Sequence, residues 1–190
     1  PDQLKSLHPG RQPVSGEQLA LAVRAWAAVT DAGPQQLGQL LAQDLSALPF
    51  LKPALLRFCR DFPWTGDGLT LSERRLLQTL KSPPAELPRQ KAMLPPERYQ
   101  RFLERSGSFP LIFCGYMHME EAPFLGDLVA KRFLDDLCEG DRPLLRRTRT
   151  DAQMPLSPDN AYALTADGEA VLDGRPNRLA LIGFTGWRGG

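Results

Sequence analysis

The sequence contains few of the residues that build catalytic and metal centres. It has two histidines among 190 residues and three widely spaced cysteines, Cys59, Cys114 and Cys138. It has no nucleophile elbow, phosphate-binding loop, dinucleotide fingerprint, zinc-protease motif or C-x-x-C pair. We therefore expect no cofactor and no metal site, and the odd number of cysteines favours a reducing cytoplasm over a disulfide-bonded scaffold.

The chain also lacks long apolar runs and an excess of charge. No stretch approaches the ~18 consecutive apolar residues that span a bilayer, and no secretory signal is visible at the start. Lysine and arginine number 23 and aspartate and glutamate 22, so no overall field attracts nucleic acid or a membrane. With 42% apolar residues the composition is typical of a globular protein. Since long apolar runs are absent, we expect no membrane partner.

The N-terminal third is predicted to be helical. Residues 1–13 are rich in proline and polar groups and predict a linker, and residues 14–68 predict a helical unit. Ser15 and Gln18 form a candidate capping box, and Leu19, Val23 and Trp26 recur on one face of a helix over about 17–29. Two further helices are predicted over about 35–43 and 50–61, and Trp26, Trp64 and Trp187 are expected to be packing anchors.

Residues 69–178 change in character. Thr70 and Glu73 form a second capping box, with Glu73, Arg74 and Gln78 predicted on the outer face of the helix that follows. Residues 81–96 carry five prolines and predict an irregular insertion. Further elements are predicted in this order: a helix from 96 to about 105, a second over 109–119, a third over 124–139, a hairpin with a long tip, and a last helix capped by Thr165 and ending at Gly174. The apolar run over 109–119 also suits a strand, which is the alternative to the helix. Residues 179–190 are apolar and are expected to pack on the body, with Trp187 as the anchor.

These elements predict a mainly α fold with a small β-hairpin. The order helix, helix, helix, hairpin, helix is typical of a winged helix-turn-helix with an insertion after its first helix. The run Tyr162-Ala163-Leu164-Thr165 followed by Gly168 is similar to the return strand and closing helix of many winged regulators. The chain is therefore interpreted as a helical N-terminal unit followed by a winged-helix-like unit, the alternative being an unrelated helical bundle with a hairpin.

Several short motifs resemble one bacterial family over nearly the whole chain. They are Ala25-Trp26, Leu48-Pro49-Phe50-Leu51, Leu71-Ser72-Glu73-Arg74, the segment from Glu121 to Asp127, the segment from Tyr162 to Leu172, and Trp187 with Gly189-Gly190. They resemble the C-terminal two-thirds of the family called domain of unknown function eighteen thirty-five. The resemblance implies a further N-terminal domain, so that the chain is a fragment or a shorter relative, and it implies no activity. The tail departs from the family pattern, because residues 182–187 lack its three polar side chains.

The predicted helix over 124–139 occupies the position of a recognition helix. A 100° step per residue predicts a buried arc, formed by Leu125, Leu128, Val129, Phe133, Leu134 and Leu137. Lys131 and Arg132 are the basic residues of its outer surface, but the segment holds four acidic residues against these two. A net negative helix repels the phosphates that flank a groove, which argues against sequence-specific reading of DNA.

The hairpin is more basic than the helix. Arg142, Arg146, Arg147 and Arg149 lie within eight residues, with Asp141 as the local opposing charge. Guanidinium groups suit phosphates and carboxylates, so this cluster is a candidate contact for a nucleic-acid backbone or for a partner. The alternative is a solvated strand edge, where positive charge deters pairing between edges.

The leading hypothesis is an interaction or regulatory module without enzymatic activity. Its partner would be another protein or its own N-terminal domain. A second hypothesis is a winged-helix regulator that binds nucleic acid weakly and without sequence preference. A third is part of an enzyme completed by a missing N-terminal domain, which would bring His118, Glu120 and Glu121 together in a polar cleft; the alternative for these acids is that they are solvated or cap the next helix.

Overall fold

The structure is a computed structural model that describes residues 12–154 and 156–183. These residues form two compact units, one of residues 12–59 and one that begins at Arg60. Helices dominate both units and the described sheet is one antiparallel hairpin, which confirms the prediction of a mainly α fold with a small β-hairpin. None of the described helices is long and apolar enough to cross a membrane.

The first unit consists of three short helices, α1 (Gly16–Val29), α2 (Gln35–Leu41) and α3 (Leu51–Cys59). The predicted capping box of α1 is confirmed: the hydroxyl of Ser15 accepts from the Gln18 amide at 3.1 Å, and the Gln18 side chain accepts from the Ser15 amide at 3.0 Å. The same Gln18 side chain donates to the carbonyl of Ala47 at 3.1 Å. One residue therefore caps α1 and fixes the loop between α2 and α3.

The core of this unit uses an unexpected face of α1. It is built from Leu21, Ala25, Ala28, Leu37, Leu40, Leu45 and Leu55. The larger residues Leu19, Val23 and Trp26 point into solvent, so the expectation that Trp26 is a packing anchor is wrong. Helix α1 is apolar on two faces, and its core face is the one with the small residues Ala25 and Ala28, which allow a close approach of neighbouring segments.

The second unit contains the remaining helices and the hairpin. They are α4 (Leu71–Lys81), α5 (Pro88–Met93), α6 (Pro96–Glu104), α7 (Phe109–Met119), α8 (Asp127–Asp136), β1 (Leu145–Arg149), β2 (Ala161–Leu164), α9 (Ala166–Leu172) and α10 (Arg178–Leu181). The proline-rich segment contains the short helix α5, which was not predicted, because Pro88 takes the first helical position, where its missing N–H costs little. Helix α8 is shorter than predicted, since Gly126 is still extended.

The hairpin is part of a slightly larger arrangement of strands. Leu145 pairs with Leu164 and Arg147 with Tyr162, and a bulge follows Arg147. On the opposite edge of β2, Ser108 forms a single bridge with Ala161. Gly107 makes this approach feasible, since its φ is 74° and a Cβ there would lie 2.4 Å from the carbonyl oxygen of Tyr162. The segment before α7 thus acts as a short third strand.

The main core of the second unit lies between α4, α7, α8 and the hairpin. Its largest fully buried members include Leu76, Leu77, Ile112, Tyr116, Leu134 and Leu145. The capping box predicted for α4 and the predicted Thr165 cap of α9 are both formed. The resulting order is helix, bridging segment, helix, helix, hairpin, helix, with α5 and α6 inserted after the first helix.

The tail is described only in part. Leu181 is half-buried against the main core, and Ile182 is about half exposed. Phe184 and Trp187, the proposed anchor, lie outside the described residues. The packing of the tail around Trp187 therefore stays a prediction.

Candidate functional site

Helix α8 exposes apolar side chains where its sequence predicts a buried arc. Leu125, Leu134 and Leu137 are buried as expected, but Leu128 is 63% and Val129 47% exposed. Phe124, just before the helix, is 55% exposed. The predicted arc was too wide, because α4 and α7 cover only the side of α8 that carries Ala130 and Leu134. We call Phe124, Leu128 and Val129 the α8 apolar patch.

The other half of α8 is dominated by Asp135, which accepts hydrogen bonds from three elements. Its carboxylate accepts from the Lys131 ammonium at 2.6 Å and from the Tyr162 hydroxyl at 2.9 Å. The Arg147 guanidinium donates to it at 3.2 Å and to Glu139 at 2.8 Å. Strands β1 and β2 are thereby tied to the C-terminal half of α8 through side chains.

This network changes the titration of its members. Burial by itself raises the pKa of Asp135, but the hydrogen bonds from Lys131, Tyr162 and Arg147 outweigh it and the pKa lies below its ordinary value. Burial, together with the hydrogen bond to Asp135, raises the pKa of the Tyr162 phenol. Burial raises the pKa of the Cys138 thiol to about 11. Cys138 is therefore a protonated thiol at neutral pH, which does not suit a nucleophile.

The four arginines of the hairpin region do not form one basic surface. Arg142 makes a bidentate contact with Asp167 in the first turn of α9, at 2.6 and 2.9 Å. Arg147 is held by Asp135 and Glu139. Arg146 and Arg149 are exposed, and neither takes part in the ion pairs found among the described residues. The sequence-predicted cluster is thus divided into two paired and two unpaired arginines.

The basic residues predicted on the recognition-helix surface are paired as well. The Lys131 side chain is only 15% exposed and contacts Asp135, and Arg132 lies 3.8 Å from Asp136 one helical turn away. Four of the six candidate phosphate contacts therefore have a carboxylate neighbour. A duplex would have to displace these carboxylates before it gained the corresponding phosphate contacts.

The acidic residues near His118 do not form a common site with it. Glu120 is buried and pairs with Arg75 of α4 at 2.5 Å, whereas His118 and Glu121 are exposed. Within the two described stretches, no three His, Cys, Asp or Glu side chains could hold a metal ion together. The carboxylate of Glu120 therefore joins the end of α7 to α4, which is a structural contact.

Helix α4 carries two further ion pairs that the sequence did not predict. Glu73 is buried, pairs with Arg178 of α10 and accepts the Thr70 amide at 2.9 Å, so its predicted outer position is wrong. Arg74 pairs with the buried Asp67. Its guanidinium also lies 5.0 Å from the centre of the Trp64 ring, which is 60% exposed. Trp64 is thus a surface residue held by a cation–π contact, and its predicted role as a packing anchor is wrong.

Two small clefts flank Lys81 at the end of α4. One, of about 370 Å³, is lined by Gln78, Met119 and Leu172 among others, and the second, of about 330 Å³, reaches Thr148 and Glu169. The described residues that line them include no histidine and no cysteine, and the Lys81 ammonium is already paired with Asp173.

Comparison of the chain with models of protein families, with curated proteins and with solved structures finds no match. The resemblance to the bacterial family described above therefore stays a prediction. The functional argument rests on the geometry of α8 and of the hairpin.

Proposed function

We propose that residues 60–183 form a winged-helix-like interaction module that binds a protein through the α8 apolar patch. The order of the elements supports the winged-helix interpretation, as does the single bridge by which the segment before α7 pairs with β2 at Ser108 and Ala161. In this arrangement α8 has the position of a recognition helix. The three free cysteines suit a cytoplasmic location, which is part of the same proposal.

One observation carries the choice of a protein over DNA. The N-terminal half of α8 would enter the major groove, and it exposes Leu128 and Val129, with Phe124 exposed just before the helix. The basic residues that follow, Lys131 and Arg132, are neutralised by Asp135 and Asp136. Recognition of DNA needs charge and hydrogen-bond donors at these positions. Exposed apolar side chains beside a polar rim are typical of protein interfaces.

The weaker candidate is a contact with the phosphate backbone through Arg146 and Arg149. It is favoured by their exposure and because the ion pairs among the described residues include neither of them. Two phosphate contacts predict a slope of about −2 in a plot of log K against log salt, which is the signature of weak and sequence-independent binding.

Titration of a labelled DNA duplex with the full chain tests whether the module binds DNA specifically or only through weak phosphate contacts. We expect weak binding, a slope no steeper than about −2, and loss of that slope in the double variant Arg146→Ala/Arg149→Ala, since each lost phosphate contact removes about 0.9. The matched double variant Arg142→Ala/Arg147→Ala should leave the slope almost unchanged, because both side chains are already paired. Tight, sequence-selective binding that Arg132→Ala abolishes would overturn the proposal.

The protein contact is tested with a photo-crosslinking amino acid introduced at Leu128 in living cells. A discrete protein adduct at Leu128, absent in the Phe124→Ser background and absent for a crosslinker at the exposed Gln153, is the expected result. Adducts of equal yield at both positions would contradict a specific role of the α8 apolar patch. Circular dichroism of the Phe124→Ser variant checks that the fold is intact.

A further inference from the structure

Helix α1 exposes a second apolar surface, independent of α8. Leu19, Val23 and Trp26 are 53%, 66% and 71% exposed although each is large and apolar. They follow one another at intervals of four and three residues, the alternation that places side chains at the d, a and d positions of a heptad. We call these three residues the α1 seam. A narrow stripe of this kind is the pattern by which one helix packs along another helix.

The residues beside the α1 seam are small and uncharged. Ala20 and Ala27 flank it on one side and Ala22 on the other, and all three are exposed. At 100° per residue, the charged residues Glu17 and Arg24 lie about 140–160° around the helix from Leu19. At these flanking positions coiled coils commonly carry the charges that select a different partner or repel an identical one. Their absence means that two copies of α1 can approach closely and without repulsion.

From this geometry we propose that two copies of the chain associate through their α1 seams in an antiparallel helix pair. A two-fold axis that passes between Ala22 and Val23 brings Trp26 of each copy opposite Leu19 of the other, and Val23 opposite Ala22. Large residues thus face smaller ones throughout. In a parallel pair the two Trp26 side chains would collide and the two helix dipoles would be aligned, which is unfavourable.

The size of the seam sets the expected strength. An exposed apolar patch of the order of 400 Å² on each copy lies in the range that is often functional on a monomer. Doubled, it stays below the ~1,200 Å² of stable complexes, so the pair is a weak one. The first unit has its own reason to associate, since a unit of fewer than ~60 residues buries too little surface to be more than marginally stable alone. We therefore expect a reversible dimer with a dissociation constant on the order of 10–100 µM.

Sedimentation equilibrium of the full chain tests the association. We expect a rise from the monomer mass to the dimer mass between about 1 and 500 µM, a range that brackets that dissociation constant. Val23→Glu should weaken the association at least about 100-fold, because it places two charges at the centre of an apolar contact. The matched control Trp64→Ser removes an equally exposed tryptophan outside α1 and should leave the masses unchanged. A wild-type chain that stays monomeric throughout would overturn the proposal, as would a dimer that persists in Val23→Glu.

Disulfide trapping tests the orientation. A mixture of the variants Leu19→Cys and Trp26→Cys, oxidised together, should give mainly the mixed 19-to-26 crosslink, and the wild-type chain with its own three cysteines measures the background. Predominant 19-to-19 and 26-to-26 crosslinks would contradict the antiparallel pair. Because both substituted side chains are exposed, circular dichroism of either variant should match that of wild type.

Discussion

Helices α1 and α4 begin in the same way and have opposite environments. Each starts with a complete capping box, formed by Ser15 with Gln18 and by Thr70 with Glu73. Beyond the box, α1 leaves Leu19, Val23 and Trp26 in solvent, whereas α4 buries Glu73 in an ion pair. The difference teaches that the signals which start a helix are local, while the burial of each face is decided by segments far away in the sequence.

The burial of charge on α4 has a specific physical basis. Arg178, 105 residues downstream, reaches Glu73, and Glu120 reaches Arg75. A buried charge is tolerated when a partner and hydrogen bonds replace its lost hydration, and both are present here. Among the described residues 12–59, no such segment covers the second apolar face of α1.

The largest effect is expected when the two capping boxes are made chemically alike. Glu73→Gln gives α4 the same polar residue that α1 has and keeps the hydrogen bond to the Thr70 amide, but leaves Arg178 buried and unpaired. We expect a loss of about 3–5 kcal/mol in the free energy of unfolding, measured by urea denaturation. The reverse exchange in α1, Gln18→Glu, should change it by no more than about 1 kcal/mol, because it gives up only the bond to Ala47. Equal losses at both positions would mean that the ion pair is not what distinguishes the two helices.

A second experiment sharpens the comparison within α1 itself. Leu21→Ala, on the buried face, should destabilise the chain by about 2–5 kcal/mol, as truncation of a core leucine does. Trp26→Ala removes a larger side chain but should change the stability by less than about 0.5 kcal/mol, since the side chain is mostly in water already. Both should be measured near 1 µM protein, well below the ~10–100 µM expected for dissociation of the proposed weak dimer. A large loss for Trp26→Ala under these conditions would contradict the exposed α1 seam.

The sequence predicted the elements of this protein better than their surroundings. Capping boxes, apolar periodicity and the Thr165 cap are determined by residues within one or two turns, so the hairpin and most helices were predicted with small errors at their ends. The short helices α5 and α10 were not predicted. The inward and outward faces depend on packing between distant segments. A period of 3.6 residues fits both apolar faces of α1 equally well, and this is why Trp26 was assigned to the interior.

In the candidate site, too, the sequence predicted local features but not the contacts between distant segments. Composition alone identified the arginines of the hairpin and the acidic residues of α8. It could not pair Arg142 with Asp167 or Arg147 with Glu139, because those contacts depend on how the hairpin and α9 meet α8. The α8 apolar patch was missed because the breadth of a buried arc depends on how many neighbours cover the helix. The negative charge of the helix and the balanced charge of the whole chain were the signals in the sequence that argued against DNA.

A small, pH-dependent effect is expected at Asp135, whose side chain is more exposed than Glu73 of α4 and less exposed than Trp26 of α1. Its carboxylate is half-buried and accepts from Lys131, Arg147 and Tyr162, and its pKa is lowered in the folded state despite the opposing effect of burial. A lowered folded-state pKa means that the ionised carboxylate stabilises the fold above its unfolded pKa of about 4, and that this contribution disappears as the pH falls through the folded pKa. Asp135→Asn should therefore lower the free energy of unfolding by about 1 kcal/mol at pH 7 and by progressively less below about pH 4.

Asp136→Asn is the matched control on the same helix. Asp136 is 58% exposed and makes a long ion pair of 3.8 Å with Arg132, so its substitution should have almost no effect at any pH. The measurement is the urea midpoint of the three proteins across this pH range. A gap between wild type and Asp135→Asn that stays constant down to low pH would mean that Asp135 joins the hairpin to α8 through its shape and neutral hydrogen bonds, and not through its charge.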